Sequence, residues 1–179
     1  MEKFISILRG INVSGHRLIN MKALQELYKN LGFTDIKTYI QSGNVVFQSK
    51  LSSPGSLEKQ ISQEILKVFG FEVPVLVIQR NDLMNISANN PFIQKGVQDI
   101  TKLHVTFLSG EPEPGLTGKI DKEQYSPDEF EIQGKAVYLF CPGGYGNTKL
   151  SNTFFEKKLK LPATTRNWKT ILELLKLSE

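Results

Sequence analysis

Apolar positions change their spacing several times along the chain, and each change marks an element. Phe4-Ile5-Ser6-Ile7-Leu8 is a short apolar run of strand type. From a cap at Asn20 to a stop at Gly32, Met21, Leu24, Leu27, Tyr28 and Leu31 recur at helical spacing. Residues 35–48, DIKTYIQSGNVVFQ, hold two strand-like runs around Ser42-Gly43, close enough for a hairpin. Ser53-Pro54 offers an N-cap and a first-turn proline to a helix whose stripe is Leu57, Ile61, Ile65 and Val68, ending at Gly70. Val75-Leu76-Val77-Ile78 closes the series as a strand. The order is βαββαβ, the ferredoxin-like arrangement.

After a predicted linking helix at 81–89, halted by Asn90-Pro91, the order begins again. Residues 102–108 alternate like a strand, 113–122 read as a weak helix or turn, and 129–132 with 136–140 flank Gly134 as a second hairpin. A glycine-rich loop covers 141–149, and a helix over 151–160 carries Phe154, Phe155 and Leu159 until Pro162 ends it. In place of a closing strand the pattern predicts a helix with Trp168, Ile171, Leu172 and Leu175 on one face. The expected fold is therefore α+β, two ferredoxin-like units in tandem, the second lacking its last strand and ending in a helix. The units span 1–79 and 101–179, with 80–100 as a link, and whether they pack as one domain is left open.

Composition narrows the class. The chain has 179 residues, 40% apolar and 22% charged, enough for a real core and unlike a disordered segment. No apolar stretch approaches the roughly 20 residues that span a bilayer, and the N-terminus lacks a secretory h-region, so a cytoplasmic protein without membrane contact is expected. The single cysteine, Cys141, cannot form an internal disulfide and suits a reducing compartment. His16 and His104 lie far apart with no ligand-spaced partners, so no metal is expected, and nothing calls for a cofactor.

The net charge of +4 is unevenly spread, with a balance of +5 from Lys149 to Lys176 and −5 from Glu111 to Glu131. Such asymmetry attracts phosphate-bearing partners to the basic segment, or lets the two segments neutralise each other within the fold or across a homodimer.

In this topology the end of the first strand lies beside the start of the third, which brings Arg9-Gly10-Ile11-Asn12 to Gln41-Ser42-Gly43-Asn44. A guanidinium, carboxamides and a hydroxyl meeting there either satisfy one another and hold the turn, or offer donors to an anion. Gly10 and Gly43 allow close backbone approach. His16 and Arg17 would widen a basic rim.

LRGINVSG, YIQSGNVVF, YGNTKLSN and ATTRNWKT together resemble the bacterial family described as domain of unknown function 1697, across nearly the whole chain. The matching positions are Arg9, Gly10, Asn12, Ser42, Gly43, Asn44, Tyr145, Gly146, Lys149, Leu150, Ser151, Thr164, Thr165, Arg166, Asn167 and Trp168. Lys169 departs from the arginine expected of many relatives, and lysine lacks the forked donor. The resemblance implies a duplicated α+β fold in a cytoplasmic bacterial protein and carries no activity.

The later motifs form a second candidate cluster. The glycine-rich loop is no Walker A loop, because no Gly-Lys-Ser/Thr follows its glycines, though its backbone could cradle phosphate. Thr165 is the expected N-cap of the last helix. Arg166 in a first helical turn opposes the helix dipole, a conflict that an anion or an acid from 111–131 would remove. Candidate ligand-binding residues are thus Arg9, Asn12, Ser42, Asn44, Tyr145, Lys149, Ser151, Thr165, Arg166 and Asn167. The leading expectation is a binding module for a phosphate-bearing ligand, nucleotide or nucleic acid; the alternatives are a homo-oligomeric interaction protein and an enzyme on a small anionic substrate. Base stacking on the sheet is disfavoured by Asn44, Val45 and Val46, where aromatics would stand. No Ser-His-Asp set, carboxylate pair or Cys-His pair is visible for catalysis.

Overall fold

The computed structural model describes residues 1–51 and 53–179. By internal packing the chain divides into two units, Met1–Asn85 with Leu172–Glu179, and Ile86–Ile171. The division differs from the sequential partition at 79 and 101, since it falls inside one helix and returns the last residues to the first unit.

The first unit runs β1 (Glu2–Leu8), α1 (Met21–Asn30), β2 (Thr34–Tyr39), β3 (Asn44–Ser49), α2 (Pro54–Phe69), β4 (Val75–Gln79) and the start of α3 (Arg80–Ala88). Its sheet has the order β2-β3-β1-β4, with every neighbouring pair antiparallel. The helices begin where local chemistry dictates. Asn20 accepts from the N–H groups of Lys22 and Ala23, and Ser53 accepts from that of Ser56, each satisfying donors that the first helical turn leaves open. Gly70, at φ 80°, ends α2 in the left-handed conformation that glycine adopts without strain.

One face of this sheet, Phe4, Leu8, Val45, Phe47 and Val77, packs against Leu24, Leu27 and Tyr28 of α1 and Leu57, Ile61 and Ile65 of α2. Tyr28, Phe33 and Phe47 form an aromatic knot with ring centroids 4.7 to 5.8 Å apart. The Tyr28 hydroxyl sits wholly inside, 2.7 Å from Ser6 Oγ, and burial raises its pKa. The opposite face carries Ile5, Ile7, Val46 and Ile78, also buried, between the cations Lys3 and Lys37. Those cations donate to the main-chain oxygens of Ser178 and Leu177, both at 2.9 Å, while Arg80 Nε reaches Ser178 Oγ at 3.1 Å. Three basic side chains thus cap the carbonyl end of the chain's last helix, where cations complement the dipole.

The second unit runs α4 (Pro91–Gln94), β5 (Leu103–Leu108), α5 (Pro114–Thr117), β6 (Glu129–Gln133), β7 (Ala136–Phe140), α6 (Asn152–Leu159), β8 (Ala163–Asn167) and the first turn of α7 (Trp168–Leu177). Its sheet order is β6-β7-β5-β8, again antiparallel throughout. Two expectations are corrected here. The last strand is present: β8 pairs with β5 from Ala163 opposite Leu108 to Asn167 opposite His104. It escaped pattern reading because ATTRN has no alternation of buried and exposed positions, and because no turn separates it from α7. The Asn90-Pro91 stop is also a start, with Asn90 Oδ1 accepting from Phe92 N to cap α4. The apolar stripe of α7 is Trp168, Ile171 and Leu174, whereas Leu172 is exposed. Leu108, Phe130, Val137, Leu139, Phe155, Leu159 and Ala163 form the second core.

The Ser6–Tyr28 pair gives a direct check. Tyr28→Phe leaves a buried serine hydroxyl without its strongest partner and is expected to cost about 1 kcal/mol in urea unfolding, while Ser6→Ala added to it costs less than the sum of the two single changes.

Candidate functional site

The structure brings the first pair of motifs together. Ile7 stands opposite Asn44 in the β1–β3 register, and Leu8 N donates to Gly43 O at 2.9 Å. The approach is so close that a methyl group at Gly43 would come within 2.7 Å of both Leu8 Cβ and Ile11 Cδ1, and its φ of 81° also demands glycine.

Most of the polar atoms at this junction are consumed in holding it. Asn12, at φ 55°, donates through Nδ2 to Gln41 O at 2.8 Å and Ile19 O at 3.0 Å, and accepts from Ile19 N at 2.8 Å. Its amide thereby ties the loop after β1 to the β2–β3 turn. Asn44, fully buried, donates to Tyr39 O at 3.1 Å and Ser42 Oγ at 2.9 Å, bracing the same turn from inside. The turn needs bracing because Ile40, β-branched and exposed, sits at φ 51°. Arg9 is half-buried, with its N–H on Pro74 O at 3.0 Å.

What this lock leaves outward is basic. Residues 13–18 are all exposed. The Arg17 guanidinium lies over Gly10, whose added Cβ would sit 3.4 Å from Nη1. Among the described residues no carboxylate pairs with Arg17, and the His16 side chain bonds nothing.

In the second unit the candidates separate into different roles. Ser151 caps α6 through Phe154 N at 3.2 Å. Thr165 caps no helix, which corrects the expectation: it lies in β8, where its hydroxyl donates to Asn152 Oδ1 at 2.6 Å and so receives the proton of Thr106 Oγ1, also at 2.6 Å. The residue that caps α7 is Asn167, through Thr170 N at 2.8 Å. Arg166 points to the other side of the strand, where burial lowers its guanidinium to about 10 and Nη1 donates to Thr165 O at 2.9 Å. Tyr145 stacks on His104 with centroids 4.7 Å apart, and Lys149 is exposed. Cys141 is buried, and burial pushes its thiol up to about 11, so it is no thiolate nucleophile at neutral pH.

His104 carries no sequence signal, yet it is the oddest group in this unit. Only 8% exposed, it has no hydrogen-bond partner for Nδ1 among the described residues. Burial holds its pKa below the ordinary 6.5, against a smaller opposing pull from the Lys102 main chain. Apart from both clusters, Glu2, Lys3, Gln79, Arg80 and Asn81 line a cavity of about 280 Å³ in the first unit. Among the described residues no group of three or more His, Cys, Asp or Glu side chains is placed to hold a metal, and no helix is long and apolar enough to cross a membrane.

Two antiparallel four-stranded sheets, each with its own helices, define an α+β protein whose two sheets share one strand order. The chain belongs to the family DUF1697, described as a protein of unknown function, whose model matches residues 1–138. Among solved structures it is similar to the conserved bacterial protein SP0830 from Streptococcus pneumoniae, at 20% identity over 99% of each chain with a TM-score of 0.69, a likeness of fold. No curated protein matches it.

Two measurements probe these arrangements. Asn12→Ala, which removes three hydrogen bonds, is expected to lower stability by about 2 to 3 kcal/mol, and Gly43→Ala by about 1 to 3 kcal/mol through strain and overpacking, both read by chemical denaturation. For His104 the unfolded chain takes up the proton more readily than the folded one. Stability should therefore be complete above pH 6.5 and fall as the pH drops through it, by no more than about 1.4 kcal/mol per unit. His104→Phe, which keeps the stack on Tyr145, should flatten that part of the curve.

Proposed function

We propose that the chain is a binding module for an anionic, phosphate-bearing ligand, a nucleotide or nucleic acid, received at the loop that follows β1. The observation that carries this reading is Arg17, exposed, without a carboxylate partner, and raised beside Gly10 on a loop whose own polar atoms are spent on rigidity. The main chain that carries it is already fixed, so binding costs only the freedom of the side chain itself. Arg9 and His16 extend the basic rim, and no acid occurs between Lys3 and Gln25.

The same reading assigns each unit the ferredoxin-like arrangement, supported by the strand orders β2-β3-β1-β4 and β6-β7-β5-β8 and by helices following β1 and β3. It also sets the ligand at the strand ends. On the first sheet the face opposite α1 and α2 carries the buried Ile5, Ile7, Val46 and Ile78, and its aromatic, Tyr39, stands on the edge strand β2, so the central strands give bases no stacking platform. In the second unit Ser151, Thr165 and Asn167 serve caps and the hydroxyl network, leaving Lys149 and Lys169 as outward cations. A buried lone cysteine supports a reducing, cytoplasmic setting.

At low salt, pyrophosphate, ATP or a mixed oligonucleotide is expected to raise the thermal midpoint, and Arg17→Gln to remove most of that rise without changing the midpoint of the free protein. Absence of any rise from all three sinks the proposal.

A further inference from the structure

We propose that residues Asn12 to Arg17 form a preformed finger that enters the major groove of double-stranded DNA. This rests on the phosphate-binding reading above and names the ligand class.

The segment is a miniature hairpin. Asn12 N donates to Arg17 O at 3.1 Å and His16 N to Val13 O at 2.9 Å, with Val13 and His16 bridged in antiparallel fashion. Its two central residues, Ser14 and Gly15, have φ of 49° and 75°, the signs that let a two-residue turn match the strand twist. The Asn12 amide fixes the base of the hairpin to Ile19 and Gln41, so its direction is set before any partner arrives.

The shape argues for a groove and against a pocket. A methyl group at Gly15 would meet nothing within 4 Å, and Val13 and Leu18 are 58% and 65% exposed. A convex tip cannot enclose a mononucleotide, which binds in concave sites. A two-stranded ribbon does fit the major groove of B-form DNA, about 12 Å wide, whereas the A-form groove of duplex RNA is too narrow for side chains to read.

The chemistry agrees. Arg17 offers a fork to phosphate or to guanine, Ser14 and His16 offer further hydrogen-bonding groups, and Val13 is a small apolar surface of the kind that meets a thymine methyl. The tip has no Phe, Tyr or Trp, the large rings on which single-strand binders stack successive bases and with which interfacial anchors seat in lipid headgroups.

The test is fluorescence anisotropy of the full chain with a mixed-sequence DNA duplex of about two helical turns, the matching RNA duplex, the single strand, and ATP as competitor, each at low and high salt. Duplex DNA is expected to bind about tenfold or more tighter than the RNA duplex or the single strand. Arg17→Gln should weaken it by at least about threefold and reduce the salt slope by about 1, and His16→Ala, whose side chain bonds no other described residue, should act in the same direction. Lys67→Ala, an equal charge loss on α2, should change affinity less. Equal binding of RNA or single strand, or an equal loss from Lys67→Ala, overturns the finger. If ATP binds in an Arg17-dependent manner and duplex DNA does not, the finger fails and the phosphate reading stands; if nothing binds at low salt, both fail.

Discussion

The packing of Gly43 against Leu8 and Ile11 sets the geometry of the whole polar end of the first unit. With no side chain at residue 43, the main chain of the β2–β3 turn settles onto the end of β1 closely enough for Leu8 N to bond Gly43 O. That contact brings Gln41 O within reach of Asn12 and positions Asn44 under Tyr39 and Ser42. Everything downstream follows from it: the rigidity of the loop, the direction of the small hairpin, and the outward placement of Arg17. A larger residue at 43 would push apart the two segments on which each of these depends.

The second unit repeats the strand order and spends its polar residues differently. Its Thr106–Thr165–Asn152 chain joins β5, β8 and the start of α6 by hydroxyls whose protons all have acceptors. Such a chain is cheap to bury because no donor is left over. His104 is the exception two residues away on the same strand, tolerated because the ring stays neutral and packs on Tyr145. The two units therefore share a strand order and set their exposed cations differently, Arg17 on the braced loop after β1 and Lys149 at the end of the glycine-rich loop.

Electrostatics sorts the basic residues in the same way. Lys3, Lys37 and Arg80 are tied to the end of α7, and Lys95 and Lys122 pair with Glu131 at 3.8 and 2.9 Å. These charges perform structural work within their units. The Arg17 and His16 side chains, by contrast, bond no other described residue, and an exposed cation such as Arg17 without structural duty is where a partner is best sought.

Local chemistry determined a good part of this from sequence. Asn20 and Ser53 cap helices because a short polar side chain can reach its neighbours' N–H groups whatever lies beyond, and the hairpins follow from alternation interrupted by Ser42-Gly43 and Gly134. The juxtaposition of Arg9–Asn12 with Gln41–Asn44 was also legible, because it follows from strand order alone. What tertiary structure decided was identity that exists only in pairing. The segment ATTRN becomes a strand because β5 offers it an edge, so Thr165 turns from a cap into a network member and Asn167 takes the cap. The chain from Leu172 onward joins the first unit, where Lys3 and Lys37 meet the main-chain oxygens of Ser178 and Leu177 and Arg80 meets the Ser178 hydroxyl. His104 and Arg17 acquire meaning only from what surrounds them: burial for one, its absence for the other, and solvent exposure is a property of the folded whole that no run of neighbouring residues encodes.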